Sequence, residues 1–267
     1  MQFYIFRKNT FLATSFICKS ITTCLFAFCI ALTISAQPTP YELKGKNYTA
    51  TYDECIAYYE QLDQAHSCIT MKTMGMTDAG KPLHVVLISK NGRNNPDQWA
   101  LNNNVVLLIN NGIHPGEPDG IDASMMLARD IARQIETSDS FPDNIAIAII
   151  PVYNIGGCLM RSEYNRPDQN GPEAFGARGN SQNFDLNRDF IKSDSKEAVS
   201  FAEIFHWIQP DIFIDNHVSD GADYQHVMTL ATTQHLKLGG VMGHYLHHTM
   251  EPSLYGMMKQ QGYPMIP

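Results

Sequence analysis

The chain has 267 residues, of which 44% are hydrophobic and 17% are charged, so it can bury an ordinary core and is not expected to be disordered. Its net charge of −8 makes nucleic acid an unsuitable partner, because polyphosphates bind basic surfaces. The sequence has no fixed-period repeat, collagen-like triplet or heptad pattern, which excludes fibrous and solenoid folds.

Residues 1–36 resemble a secretory signal peptide. Arg7 and Lys8 precede a long apolar stretch that ends in small residues at Ala36. This arrangement is typical of a leader that is cleaved on export. We therefore predict cleavage near Ala36 and a periplasmic or secreted protein with no membrane contact beyond the leader. An uncleaved N-terminal membrane anchor is the alternative, because Ile34 is large for its position before the cut.

The rest of the chain alternates between helical and strand patterns. Helical spacing of apolar residues predicts helices, and near-continuous aliphatic runs predict strands that are buried on both faces. The predicted elements are a helix over Tyr52–Gln64, strands over Leu83–Ile88 and Val105–Ile109, a helix over Gly120–Ile135, a strand over Ile145–Ile150, a helix over Ser195–Ile208, a strand over Asp211–Asp215 and a possible strand over Tyr224–Leu230. This order predicts an α/β fold with a mixed, largely parallel sheet that helices cover on both faces.

Three cysteines lie outside the leader, namely Cys55, Cys68 and Cys158. An odd number without a C-x-x-C pair does not indicate a disulfide framework. We predict three buried free thiols, with a Cys55–Cys68 disulfide as the alternative.

Two histidines and a carboxylate follow predicted strands. His114 and Glu117 lie in the loop directly after Val105–Ile109, and His217 follows Asp211–Asp215. In open α/β sheets, ligands collect at the carboxyl ends of strands. Two imidazoles and one carboxylate form a three-ligand set for zinc that leaves a position for water, as in catalytic sites. Taken alone, His114 and Glu117 also fit a loop-capping imidazole and a charge at a helix N-terminus.

A long loop of Asn, Gly, Pro and Arg residues runs from Arg161 to Asn183, and loops of this length inside a domain are usually functional or mobile. Asn187 and Arg188 follow it. A neutral donor beside a fixed cation suits a carboxylate ligand, because arginine offers two parallel hydrogen bonds.

The motifs resemble, in their order along the chain, those of the zinc carboxypeptidases of the carboxypeptidase A type. The motifs are His114-x-x-Glu117, Asp185-x-Asn187-Arg188 and His217 after an apolar strand. The similarity extends roughly from Tyr41 to Leu230. It implies a zinc carboxypeptidase-like fold and a hydrolase with one zinc ion per chain, bound by the two histidines and the glutamate.

The resemblance also implies roles for residues around the metal. Asp185 would hold His114 in its binding orientation and tautomer. Asn187 and Arg188 would bind the free carboxylate of a peptide substrate. An arginine before the Asn-Arg pair would stabilise the oxyanion, and Arg178 is our choice.

Arg166 and Arg161 are the alternatives for the oxyanion role, because the loop aligns loosely with the family. The alternative for each of these arginines is a solvated position in the loop with no catalytic role.

The general base of the family is a glutamate on a strand downstream of the third zinc ligand. Glu251 is the only glutamate after His217, and its helical surroundings do not match that role. We therefore expect the base beyond Pro267, and we interpret residues 37–267 as the incomplete N-terminal portion of a catalytic domain. A naturally non-catalytic protein that binds zinc and carboxylates is the alternative.

The leading hypothesis is a zinc metallocarboxypeptidase that releases C-terminal residues from peptides or peptide-like substrates with a free carboxylate. A zinc amidase or deacylase that acts on muropeptides or N-acyl amino acids is the alternative enzyme.

His244, His247 and His248 have the spacing of one helix face. Exposed surface histidines are the favoured explanation, and a second metal site is the alternative.

Overall fold

The computed structural model describes residues 37–266 except 46, 91, 93, 139, 220 and 223. The predicted leader over residues 1–36 lies outside the described residues. The described chain divides into two compact units, one that ends at Ser219 and one that follows it. A single catalytic domain over residues 37–267 stays a prediction.

The first unit is built from helices and a five-stranded sheet. Its elements in chain order are α1 (Pro40–Lys44), α2 (Tyr52–Ala65), β1 (Ile69–Met76), β2 (Pro82–Ser89), α3 (Pro96–Leu101), β3 (Val105–Asn110), α4 (Asp119–Thr137), β4 (Ile145–Ile150), α5 (Ile155–Leu159), a 3-10 turn (Leu186–Arg188), α6 (Lys196–Ile208) and β5 (Ile212–Asp215). Every element predicted up to Asp215 is present, and its ends differ from the prediction by no more than two residues.

The sheet has the strand order β1-β2-β4-β3-β5. β3 runs parallel to both β4 and β5, whereas β2 runs antiparallel to both β1 and β4. The predicted α/β class with a mixed sheet is therefore confirmed. Because β3, β4 and β5 are parallel, their carboxyl ends lie at the same edge of the sheet. The loops that follow β3 and β5 can therefore meet there.

β1 was not predicted. It carries the polar residues Thr70, Lys72 and Thr73, and much of it is partly or fully exposed, as expected of a strand at the edge of a sheet. Its polar residues interrupt the apolar pattern that identifies buried strands. Its antiparallel pairing with β2 supplies the ladder that holds it in place.

Capping side chains fix where the helices begin. Thr51 accepts a hydrogen bond from the Glu54 N–H, and the Glu54 side chain accepts one from the Thr51 N–H, which forms a capping box at α2. Ser195 accepts a hydrogen bond from the Ala198 N–H at the start of α6.

The core of the first unit lies around β2, β3 and β4, most of whose aliphatic side chains are almost fully buried. Cys55, Cys68 and Cys158 are free thiols in buried positions, so the prediction of three buried free cysteines is confirmed. In the described part of the chain, the helices are all too short or too polar to cross a membrane.

The second unit is helical, with α7 (His235–Leu238), α8 (Gly240–Tyr245), a π-helical segment (Leu246–Met250) and α9 (Glu251–Gln260). The prediction of a strand over Tyr224–Leu230 is wrong. In this segment, Thr229 forms a single isolated bridge with Ile266, so the described residues provide no ladder that would hold a strand.

Candidate metal centre

The loops after β3 and β5 bring three potential metal ligands together. Glu117 lies between the two histidines, with Oε1 at 3.1 Å from His114 Nδ1 and Oε2 at 2.9 Å from His217 Nδ1. The ligand atoms of the three residues all lie within 4.8 Å of one another. His114 and Glu117 are buried, whereas the side chain of His217 is 34% exposed. The centre can therefore be reached from the side of His217.

The turn after β3 places His114 and Glu117 side by side. Gly112 has a φ of 65°, a conformation that glycine adopts without strain. The Glu117 N–H then donates a hydrogen bond to the His114 carbonyl at 2.8 Å, which closes the turn. Gly116 lies between them, and a side chain there would come within 2.8 Å of Arg166 Cγ. The absence of a Cβ at Gly116 therefore lets Arg166 approach the centre.

A carboxylate is hydrogen-bonded to the outer nitrogen of each histidine. His114 Nε2 lies 3.0 Å from Asp185 Oδ1, and His217 Nε2 lies 3.0 Å from Asp215 Oδ2. A carboxylate at Nε2 favours the tautomer that carries its proton there, which leaves the Nδ1 lone pair for a metal. The predicted contact between Asp185 and His114 is present in the structure.

The role of Asp215 was not predicted from the sequence. Its other oxygen, Oδ1, accepts a hydrogen bond from Asn110 Nδ2 at 3.0 Å, so the end of β3 holds the residue that orients His217. The available signal was a carboxylate two residues before a histidine at the end of a strand, where alternate side chains point to the same side.

The charges at the centre favour a cation. Burial alone would raise the pKa of Glu117, but hydrogen bonds from both histidines and the Val218 N–H outweigh it and hold the pKa well below its ordinary value. The carboxylate is therefore ionised at neutral pH. Hydrogen bonds to Asp215 and Glu117 raise the pKa of His217 to about 9, although burial acts in the opposite direction. At neutral pH this ring therefore carries a proton on each nitrogen, and a metal that binds at Nδ1 would displace one of them.

Two of the three candidate arginines lie beside these residues. Arg166 Nη1 donates a hydrogen bond to Glu117 Oε1 at 2.9 Å. Arg178 Nε and Nη2 each lie 3.0 Å from Asp185 Oδ2, and Arg178 Nη1 lies 3.9 Å from Glu117 Oε1. Burial alone would raise the pKa of Asp185. The hydrogen bond with His114 and the charge of Arg178 outweigh this effect, so the pKa lies below its ordinary value.

The guanidinium of the third candidate, Arg161, contacts residues just before α2. It donates a hydrogen bond to the Thr49 carbonyl at 2.9 Å and lies over the Tyr48 ring, 5.3 Å from its centre. These contacts hold the loop against the start of α2, so they give Arg161 a structural role.

Asn187 and Arg188 lie in the 3-10 turn that Asp185 caps, since Asp185 Oδ1 accepts a hydrogen bond from the Asn187 N–H at 3.0 Å. The Arg188 side chain is exposed, and its Nη1 donates to the Asn187 carbonyl at 2.9 Å. The pair thus follows directly on the carboxylate that orients His114. Its role in binding a substrate carboxylate stays a prediction.

Glu251 belongs to the second unit. Its carboxylate accepts a hydrogen bond from the Thr232 hydroxyl and lies 3.3 Å from His247 Nδ1. These contacts give its carboxylate local partners within the second unit.

The donor set fits zinc. Two neutral imidazole nitrogens and one carboxylate form a catalytic type of zinc site, and carboxylates at the outer nitrogens are the usual support for such histidines. The three residues would hold the ion through the atoms that already converge in the structure.

The fold is similar to that of solved carboxypeptidase structures. A structure assigned as a carboxypeptidase from Burkholderia mallei has a TM-score of 0.59 and 17% identity, and the match covers 82% of this chain and 50% of that chain. Carboxypeptidase A from Helicoverpa armigera has a TM-score of 0.52 and 16% identity, covering 75% of this chain and 53% of that one. At these identities the likeness shows the fold.

A structure assigned as carboxypeptidase A from Shewanella denitrificans has a TM-score of 0.51 and 19% identity, covering 65% of this chain and 41% of that chain. The chain thus spans about half, or less, of the length of these solved structures.

No curated protein is significantly similar to the chain in sequence. The sequence profile of the zinc carboxypeptidase family, however, matches residues 55–225. This match covers more than half of the chain and includes all three ligands of the metal centre and both arginines beside it. The chain therefore belongs to the zinc carboxypeptidase family.

Proposed function

We propose that this chain carries the zinc centre of a metallocarboxypeptidase, which hydrolyses the C-terminal peptide bond of peptides with a free carboxylate. The convergence of His114, Glu117 and His217 on one point is the observation that carries the proposal. Family membership supports the hydrolase class and the zinc cofactor.

The ligands and their carboxylate partners would prepare the centre before substrate binds. Asp185 and Asp215 hold the two imidazoles so that each presents Nδ1, and the ionised Glu117 completes the ligand set. When bound, zinc supplies a Lewis acid that polarises a carbonyl and lowers the pKa of bound water towards about 7. Little reorganisation of the protein is then needed, because the donors already face one another.

The arginines would stabilise negative charge that develops on the substrate. Arg178 is our choice for the oxyanion, since its Nη1 lies 3.9 Å from Glu117 while its other nitrogens are fixed by Asp185. Arg166 is the alternative, because it contacts Glu117 directly. Loss of one oxyanion donor costs about 10²–10³-fold in kcat, so we expect Arg178→Gln to lower kcat by that factor and Arg166→Gln to lower it less.

Asn187 and Arg188 would hold the terminal carboxylate of the substrate. An arginine can form two parallel hydrogen bonds with a carboxylate, and an exposed guanidinium three residues after Asp185 is accessible to a peptide end. Arg188→Gln should therefore raise KM for peptides with a free carboxylate.

The decisive experiment measures zinc content and hydrolysis for the full chain, extended to any natural C-terminus. The substrates are a peptide with a free carboxylate and the same peptide with a C-terminal amide. We expect hydrolysis of the free acid only, and its loss in His114→Ala together with the zinc that His114 binds. His206→Ala, which changes an exposed histidine on α6, is the matched control and should retain both.

Equal hydrolysis of both peptides would favour the amidase or deacylase instead. Unchanged hydrolysis in His114→Ala would contradict the zinc mechanism altogether.

A non-catalytic zinc- and carboxylate-binding protein is the second candidate. Each of the three carboxylates at the centre already has hydrogen-bonding partners. Glu117 contacts both histidines, Asp185 contacts His114 and Arg178, and Asp215 contacts His217. None of these three carboxylates is therefore available to act as general base, and such a base is typically worth about 10²–10⁴-fold in rate. Zinc binding and peptide binding without hydrolysis would support this candidate.

We also propose that the protein is exported and that its leader is removed near Ala36. The charged start and apolar middle of residues 1–36 support this. N-terminal sequencing of the protein recovered outside the cytoplasm should begin at or near Gln37. Recovery with an intact N-terminus in the membrane fraction would support the uncleaved anchor.

A further inference from the structure

Four histidines of the second unit form a continuous cluster of rings, which we call the histidine cluster: His235, His244, His247 and His248. His235 stacks on His247, with 4.1 Å between ring centres and 15° between ring planes. His247 lies 4.8 Å from His248, and His248 lies 4.4 Å from His244. Nothing in the proposed carboxypeptidase chemistry uses these side chains.

The spacing along the helical stretch produces these contacts. His244 and His248 are four residues apart, so they lie on the same side of the helix, an arrangement from which two histidines can chelate one metal ion. His247 and Glu251 form a second pair with the same spacing, and Glu251 Oε2 lies 3.3 Å from His247 Nδ1. The Thr232 hydroxyl donates to the other Glu251 oxygen.

These contacts resemble the support of the metal centre in the first unit. There, a carboxylate at one ring nitrogen leaves the other nitrogen as a ligand, and the rings of His114 and His217 lie 5.2 Å apart with 60° between their planes. Here, Glu251 occupies His247 Nδ1 and leaves Nε2 available, and the rings of His247 and His248 lie 4.8 Å apart with 69° between their planes.

Among the described residues, His114, Glu117 and His217 are the only group of three or more potential ligands whose atoms already lie close enough together to hold a metal ion. The histidine cluster would therefore have to gather its nitrogens by side-chain rotation. His244, His247 and His248 are exposed, so their rings can rotate without displacing core residues.

We propose that His244, His247 and His248 bind a second transition-metal dication. His235 and Glu251 act as positioning residues for His247, the first by ring stacking and the second by its hydrogen bond. Imidazole ligands select zinc, nickel or copper rather than calcium or magnesium, which prefer oxygen. The proposal is independent of the proposed carboxypeptidase function, because it shares no residue with the first centre.

The test is equilibrium dialysis of the full chain against Zn²⁺, with bound zinc measured by mass spectrometry. The unmodified chain should bind two equivalents, and the double variant His244→Ala, His248→Ala should bind one. His114→Ala should lose the other equivalent and keep that of the histidine cluster. His226→Ala changes a partly exposed histidine of the same unit outside the histidine cluster; it is the control and should keep both.

Two results would overturn the proposal. One is an unmodified chain that binds a single equivalent, lost in His114→Ala. The other is a double variant that still binds two. If only the first centre failed to bind zinc, the unmodified chain would bind one equivalent, which His114→Ala would keep and the double variant would lose. The two failures are therefore distinguishable.

A second measurement, chemical modification of histidines, tests the proposal without substituting any of them. Diethyl pyrocarbonate modifies neutral imidazoles, so zinc should protect His244, His247 and His248 from it in the unmodified chain, and unchanged modification at saturating zinc contradicts the proposal. Glu251→Gln should weaken zinc binding at the histidine cluster by about 10-fold or more, as loss of a carboxylate behind a ligand histidine usually does.

Discussion

Asp122 is a buried carboxylate on α4, and its ionisation should control the stability of the first unit. Asp122 is 6% exposed, and its Oδ1 accepts a hydrogen bond from the Ala50 N–H at 3.1 Å. Burial raises the pKa of Asp122 from 3.8 to about 6, although the Ala50 hydrogen bond acts in the opposite direction. As the pH rises, the folded protein therefore keeps this proton after the unfolded chain has lost it.

The direction of the pH effect follows from proton linkage. Between these two pKa values the folded state binds more protons than the unfolded state, so the free energy of unfolding falls as the pH rises. A shift of about two pKa units corresponds to roughly 3 kcal/mol. The asparagine in Asp122→Asn cannot ionise, and its amide oxygen can still accept the Ala50 hydrogen bond. Relative to the unmodified protein, this variant should gain about 3 kcal/mol between about pH 4 and about pH 7.

Urea unfolding at a series of pH values, followed by tryptophan fluorescence, would measure this difference. Trp99 and Trp207 are the two tryptophans of the chain and both lie in the first unit, so the signal reports on that unit alone. Asp119→Asn makes the same charge change at an exposed position of α4, and its effect should vary much less with pH. A difference between Asp122→Asn and the unmodified protein that stays constant from acid to neutral pH would refute the reasoning.

Three further predictions concern single contacts. Gly116→Ala would place a methyl group 2.8 Å from Arg166 Cγ, so we expect a loss of about 1–3 kcal/mol in the free energy of unfolding and weaker zinc binding, measured by thermal unfolding and dialysis. Asp215→Asn should weaken zinc binding by about 10–100-fold because His217 loses its orienting carboxylate, and unchanged affinity in dialysis would contradict this role. Ser195→Ala removes the N-terminal cap of α6 and should cost about 1 kcal/mol in urea unfolding.

The elements of the central sheet were predictable because their patterns are local. β3 and β4 are near-continuous aliphatic runs, and α4 carries a regular apolar stripe. A strand covered on both faces must be apolar at nearly every position, so its burial is visible in the sequence itself. β1 lacks such a signal, because an edge strand mixes polar and apolar residues and depends on its partner.

The order and chemical type of the residues around the metal centre could also be predicted from the sequence. Imidazole, carboxylate and guanidinium groups stand at the ends of predicted strands or in the loop before Asp185, and their order resembles one family. What the sequence determined was therefore which groups were available for a metal and a carboxylate.

Only the tertiary structure decided how these groups are paired. The loop over residues 161–183 has no periodic pattern, so its path depends on contacts with distant parts of the chain. Those contacts turn Arg161 towards Thr49 and bring Arg166 against Glu117. Asp215 likewise faces His217 because β3 holds it through Asn110, and a hydrogen bond between strands far apart in the sequence has no local pattern from which it could be predicted.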